Sequence, residues 1–147
     1  MALAPTEVRW VQRPTELEAA LALREQVFCG EQGVPREQEL DGRDDDALHV
    51  VALEPTAQVV FGTLRLLLEG DVAKVGRVAV ARNARRRGVA SRMLELALEE
   101  ARARGAERAR LAAQIDALEL YERAGFRVES EPFLEAGIRH VWMGRAL

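Results

Sequence analysis

Apolar and polar positions alternate with period two near the start of the chain. Val8, Trp10 and Gln12 are interleaved with Arg9, Val11 and Arg13, and the pattern stops at Pro14. That spacing predicts a first strand over 8–13. The period then changes, with Leu17, Leu21 and Phe28 at helical spacing. Thr15-Glu16-Leu17-Glu18 reads as a capping box, Thr15 at the N-cap and Glu18 three residues on. Gly30, Gly33 and Pro35 interrupt this helix, and an acidic, irregular stretch follows to about Asp46. Two β-patterned runs, 47–54 and 58–69, meet at Pro55-Thr56-Ala57. The turn Glu69-Gly70-Asp71 leads into a fourth strand over 73–81, which holds Val75, Val78 and Val80. Such short connections predict antiparallel pairing in the middle of a sheet.

The clearest helix follows an arginine-rich loop. Val89, Met93, Leu96, Ala97 and Ala101 form its apolar side, and Glu95, Glu99, Glu100 and Arg102 its polar side; Gly105 marks the stop. A strand over 107–114 comes next. Asp116-Ala-Leu-Glu119 then reads as a second capping box, opening a short helix that ends at Gly125. Strands over 126–130 and 138–146 complete the chain. The order βα–βββ–αβ–αββ, without repeats or low-complexity linkers, predicts one α+β domain spanning 1–147.

Composition narrows the chemistry. A chain of 147 residues, 48% hydrophobic and 31% charged, can bury a core without disulfide staples. Cys29 is the only cysteine, and His49 and His140 are the only histidines, far apart in sequence, so no conventional metal motif is present. Cys29, beside Phe28, reads as a packing residue. No apolar run is long enough to span a membrane, and Met1-Ala-Leu-Ala-Pro-Thr-Glu has no signal-peptide pattern, which leads us to expect a cytoplasmic protein. The net charge of −3 conceals two opposed segments. Residues 82–92 hold five arginines (Arg82, Arg85, Arg86, Arg87, Arg92) and no acid. Residues 31–46 hold Glu31, Glu37, Glu39, Asp41, Asp44, Asp45 and Asp46 against Arg36 and Arg43.

The arginine segment abuts a helix start, where unpaired amides and the macrodipole already supply positive charge. Three consecutive arginines there are unfavourable unless an anion is bound, held by the amides of residues 86–91 and flanked by guanidinium groups. Gly88 and Ala90 lack bulk and let a phosphate approach the backbone. A solvated surface loop is the alternative. Nucleic-acid binding through the same arginines lacks interleaved aromatics, since none lies in residues 62–120.

Arg85-x-x-Gly88-x-Ala90, after the strand ending Val78-Ala79-Val80, resembles the acetyl-CoA pyrophosphate loop of GCN5-related N-acetyltransferases (GNATs). Ala117-x-x-Leu120-Tyr121-x-x-Ala124-Gly125-Phe126 resembles the family's second signature. Arg24-x-x-Val27-Phe28-x-x-Glu31-Gln32, Asp41-Gly42-x-Asp44, Gly76-Arg77-Val78, Ala113-Gln114 and Glu135-x-Gly137-Ile138-x-His140-x-x-Met143 are similar to the ElaA-like branch. The resemblance implies a mostly antiparallel sheet of about six or seven strands flanked by about four helices, with strands four and five splayed apart.

By that resemblance the chain is an acetyl-CoA-dependent N-acetyltransferase acting on a primary amine of a small molecule or an exposed protein amine. Transfer would be direct, in a ternary complex, without a metal; a non-catalytic CoA-binding sensor is the alternative. Neither nucleic acid nor membrane is an expected partner, and a homodimer stays open. Val78, Ala79, Val80, Arg85, Arg86, Arg87, Gly88, Val89, Ala90 and Ser91 are implied to contact the carrier. Asp116 is either a helix cap or a carrier contact. Tyr121, the chain's only tyrosine, matches the general acid for the departing thiolate, and a phenol of ordinary pKa about 10 is protonated as that role needs. The fourth strand offers no carboxylate as a base, so Glu31, His49, His140 or a water relay are the candidates. Arg24, Gln32, Arg77 and Gln114 are implied to line the acceptor side with Glu31, or else to form a buried polar network that fixes the acidic segment. The acids suit a cationic acceptor, and Arg24 and Arg77 equally suit a carboxylate on it.

Overall fold

The computed structural model describes residues 6–147. Strand β1 (Glu7–Trp10) precedes helix α1 (Pro14–Arg24), which runs on as a π-helical segment over Glu25–Glu31. Short α2 (Arg36–Glu39) and a 3-10 turn at Asp44–Asp46 lie within the acidic stretch. Then come β2 (Leu48–Glu54), β3 (Val59–Glu69), β4 (Val72–Val80), α3 (Val89–Ala103) and β5 (Arg108–Gln114). A 3-10 turn at Ile115–Ala117, α4 (Leu118–Arg123), β6 (Arg127–Val128), β7 (Phe133–Glu135) and β8 (Ile138–Ala146) finish the chain.

Both capping boxes differ from expectation. Pro14 occupies the first turn of α1, where its missing N–H costs nothing, and this moves the N-cap back to Arg13. Glu16, not Glu18, then accepts the Gln12 and Arg13 amides at 2.8 and 3.3 Å, and Arg9 braces the same carboxylate at 2.5 and 2.8 Å. At the second site the chain leaves β5 in a 3-10 turn, so α4 begins with Ala117 at its N-cap and no side-chain cap. Asp116 is exposed and caps nothing.

The strands form one sheet in the order β1-β2-β3-β4-β5-β8-β6, with β7 also pairing along β8. Every pair is antiparallel except β4 with β5. That parallel pair is held only from Val72–Lys74 to Arg108–Arg110. Beyond Lys74 the two strands diverge and a cleft opens between them.

Helices cover both faces. On one, Val89, Met93, Leu94, Ala97, Leu98 and Ala101 of α3 pack against Leu64, Leu66, Val75 and Leu111, with Tyr121 and Phe126 in the same core. The spacing of those six residues keeps them on a single stripe. Gly62 lets α3 approach closely: a Cβ there would stand 3.0 Å from Ala52 Cβ and Val89 Cγ1 and 3.3 Å from Met93 Sδ. On the other face, Ala20 packs with Val51 and Leu53, and Leu23 and Val27 with Ala79. No helix among the described residues is long and apolar enough to cross a membrane.

Candidate active site

The cleft between β4 and β5 has a volume of about 870 Å³. Its β4 wall is shaped by a bulge. Arg65 pairs with Gly76 and Thr63 with Ala79, so Arg77 and Val78 together face Leu64. Arg77 takes the extra residue's backbone at φ +51°, a left-handed conformation that costs a non-glycine residue about 1–2 kcal/mol. Past the bulge the Ala81 N–H donates to the Phe61 carbonyl at 2.8 Å. Alternation along the strand therefore turns the polar groups of Val80 towards the edge that β5 has left. The Val80 carbonyl accepts the Arg85 Nε–H at 2.9 Å, and its N–H faces the cleft.

The loop after β4 brings the cleft to the start of α3. Gly88, at φ +76°, is the N-cap and provides no side-chain cap, and no acid lies in the first turn. Arg86, also left-handed at φ +64°, and Arg87 are exposed and make no ion pair among the described residues. Ser91 is exposed and Ala90 lines the cleft. The Val89 side chain is buried in the core, leaving only its amide for a ligand. Arg85 is committed elsewhere, donating to Glu31 at 2.9 and 3.0 Å, with Arg82 a further 3.5 Å from that carboxylate. The uncapped amides with two unpaired guanidinium groups suit a pyrophosphate, and the strip of Val78, Ala79 and Val80 suits an extended, largely apolar arm.

Tyr121 of α4 lines the cleft from the β5 side, packed edge-on to Phe126 at 6.3 Å. Burial pushes its phenol up to about 12, so it stays protonated at neutral pH.

The three base candidates separate clearly. Glu31 does not line the cleft, and the hydrogen bond from Arg85 holds its carboxyl below the usual range, which suits it to positioning Arg85 rather than accepting protons. His49 is buried on β2 away from the cleft, with Nε2 2.9 Å from the Asp44 carbonyl oxygen, a structural bond. His140 lines the cleft. Its Nδ1 lies 2.7 Å from the Ile138 carbonyl and donates to it, which leaves Nε2 without a hydrogen-bond partner among the described residues, with Glu135 Oε2 3.9 Å away. Phe133 stacks on the ring at 5.8 Å.

The acceptor-side residues divide in the same way. Gln32, the residue that caps the π-helical segment, and Gln114 of β5 exchange amide hydrogen bonds of 2.9 and 3.3 Å, both at the cleft. Arg24 is only 1% exposed and lies outside the cleft wall. It belongs to a closed ring of six alternating charges. Arg24 meets Glu39 at 2.6 Å, Glu39 meets Arg77 at 3.6 Å, and Arg77 meets Asp41 at 3.4 Å. Asp41 meets Arg65 at 2.5 Å, Arg65 meets Asp44 at 3.1 Å, and Asp44 returns to Arg24 at 2.7 Å.

The ring already neutralises Glu39, Asp41 and Asp44, whereas Glu37 of the same segment lines the cleft without an ion pair among the described residues. Arg65 drives Asp41 well below the usual carboxylate range, and Asp44, although burial opposes it, is held low by Arg24 and Arg65. Arg77 is the looser member, with the two longest ion-pair distances. Burial, followed by repulsion from Arg65, weakens its hold on its proton. Sequence reasoning missed Arg65, although a lone arginine inside the apolar run Leu64–Leu68 was the available signal. It also missed Lys74, Arg110 and Trp142, which line the deep end of the cleft.

Comparison with known proteins agrees with this geometry. The sequence model of the acetyltransferase (GNAT) domain matches residues 15–147. The chain is 37% identical over 130 residues to the uncharacterized N-acetyltransferase YjcF of Bacillus subtilis, covering 87% of this chain and 91% of that protein. An acyl-CoA N-acyltransferase from Pseudomonas aeruginosa superposes with a TM-score of 0.82 at 32% identity, over 97% of this chain and 99% of the other. Escherichia coli ElaA superposes at 0.84 with 26% identity, over 96% and 99%.

Proposed function

Since the chain belongs to the GNAT acetyltransferase family, with acetyl-CoA as its co-substrate, we propose that it moves the acetyl group directly to a primary amine in a ternary complex. The acceptor is a small molecule or an exposed protein amine. The observation that carries this reading is the single cleft in which the β4–β5 splay joins an uncapped, arginine-flanked helix start to Tyr121 and His140.

In this mechanism the amides at the start of α3, with Arg86 and Arg87, hold the pyrophosphate, and Arg85 is fixed by Glu31 against the Val80 carbonyl. The carrier supplies an activated thioester carbonyl. The Val80 N–H points to where negative charge develops on that oxygen, a stabilisation that acts mainly in the transition state. An alkyl ammonium has a pKa near 10.4 and must lose a proton before it attacks. His140 Nε2 accepts that proton, directly or through a water. The amine nitrogen bonds to the acetyl carbon, the carbon–sulfur bond breaks, and the Tyr121 hydroxyl protonates the leaving thiolate. The second proton that the nitrogen sheds on becoming an amide returns to the Tyr121 phenolate, and His140 gives the first to solvent. The products are an N-acetyl amine and free CoA.

Thiol release from acetyl-CoA, followed across a panel of primary amines, tests the proposal. Turnover dependent on an amine is expected. Tight CoA binding without turnover on any amine would replace this reading with that of a CoA sensor.

A further inference from the structure

At the apex of the cleft, Lys74 of β4 and Arg110 of β5 are directly opposite each other, in the last residue pair before the strands part. Directly opposite side chains share one face of a sheet, and like charges there repel. Here both charges line the cavity. The Arg110 guanidinium carbon lies 4.2 Å from the Trp142 ring centroid, and Lys74 Nζ lies 6.0 Å from it. Among the described residues no carboxylate comes within ion-pair distance of Arg110. Lys74 has only Glu69, at 3.9 Å, and Glu69 is also taken by Arg43 at 3.0 Å. Lys74 and Arg43 thus share one acid, which does not line the cavity, and Arg110 has none.

The other end has the opposite character. His140 keeps its free Nε2 there, with Glu135 beside it. His140 and Trp142 are two steps apart along β8, a rise of roughly 7 Å, and Arg110 and Gln114 are four steps apart along β5, roughly 13 Å.

From this polarity we infer that the acceptor is a small primary amine whose far end carries an anion, a carboxylate or phosphate, held by Lys74 and Arg110 over Trp142. The amine and the anion are separated by roughly 7–13 Å. This rests on the acetyl-transfer reading and adds the substrate class to it. A guanidinium lying on an aromatic face still presents its edge N–H groups for paired hydrogen bonds to oxyanions, and the neighbouring ammonium adds a point charge. In the acidic segment Arg24, Arg65 and Arg77 already balance Glu39, Asp41 and Asp44, which leaves Glu37 as its one cleft carboxylate without an ion pair among the described residues.

The test compares ω-amino carboxylates of graded length, ω-aminoalkyl phosphates and n-alkylamines of equal length. The best anionic amine is expected to exceed its neutral counterpart at least about tenfold in kcat/KM, since specificity is a difference of interaction energies. That ratio is expected to fall towards one in Lys74→Gln and in Arg110→Gln and to recover in Arg110→Lys. The carboxylate and phosphate arms identify which anion is preferred. An equal ratio in wild type and both glutamine variants, or a preference for n-alkylamines, would overturn the inference. Calorimetry on CoA-saturated protein with the ω-amino carboxylates and ω-aminoalkyl phosphates gives a readout independent of turnover. Binding that Lys74→Gln weakens at least tenfold is expected, and no binding would overturn the anion site. Such binding without turnover on any amine would keep the anion site and remove the transferase reading.

Discussion

At the scale of single residues, position decides what each ionisable group does. Tyr121 is expected to act on the leaving group, so Tyr121→Phe should lower kcat about 100-fold or more while leaving the KM for acetyl-CoA nearly unchanged. Steady-state kinetics with saturating amine checks this, and a normal kcat would reduce the phenol to packing. Arg24 has the opposite profile. Its removal strands two carboxylates at one vertex of the charge ring, so Arg24→Gln should destabilise the fold by about 3–5 kcal/mol, read as a shift in urea midpoint. The sequence could nominate both residues but could not distinguish their roles. Arg24 and Tyr121 each sit in a motif, and only burial and partners tell an arginine enclosed by carboxylates from a phenol that lines the cleft. The partners of Arg24 lie 15 and 20 residues away, and those separations leave no periodic trace.

At the scale of elements, the legible parts were those with a strong period. The four central strands and α3 are placed within one or two residues of the expected bounds. What stayed hidden has local reasons. Strand β7 has three residues and exposes Leu134, so it carries no alternation to read. The bulge that places Arg77 needs a left-handed backbone at a non-glycine residue, which no propensity suggests. The splay of β4 and β5 came from family resemblance, since a period-two pattern is blind to whether neighbours stay paired. Two element-level predictions follow from α3. Gly62→Ala should push the helix start off the sheet, costing about 1–3 kcal/mol in chemical denaturation and weakening acetyl-CoA binding with it. Arg86→Glu with Arg87→Glu should weaken acetyl-CoA at least about 100-fold in calorimetry while sparing the fold, because both side chains are exposed and unpaired. Unchanged affinity would place the phosphates elsewhere.

At the scale of the whole molecule, ionised carboxylates tie distant segments together. The hydrogen bond from Arg9 draws Glu16 down to about 2 from an ordinary 4.5, and Asp41 and Asp44 are also depressed. A carboxyl with a lowered folded pKa stabilises the fold fully above its unfolded value, and that contribution fades as pH falls towards the folded one. Stability should therefore hold near neutrality and decline steadily below about pH 4.5. In urea titrations Glu16→Gln should be weaker at pH 7 and show a shallower acid slope between pH 4.5 and about 2.

The short seam between β4 and β5 has a mechanical meaning. Three residue pairs join the sheet's two leaves, β1–β4 and β5 with β6–β8, like a book bound along one edge of its spine. Opening along that seam breaks little backbone pairing, so it should be the first sub-global motion to appear. A carrier bound between the leaves would act as a clasp. Amides of Leu111–Gln114 and their β8 partners, far from the phosphate loop in sequence, should then gain hydrogen-exchange protection when acetyl-CoA binds.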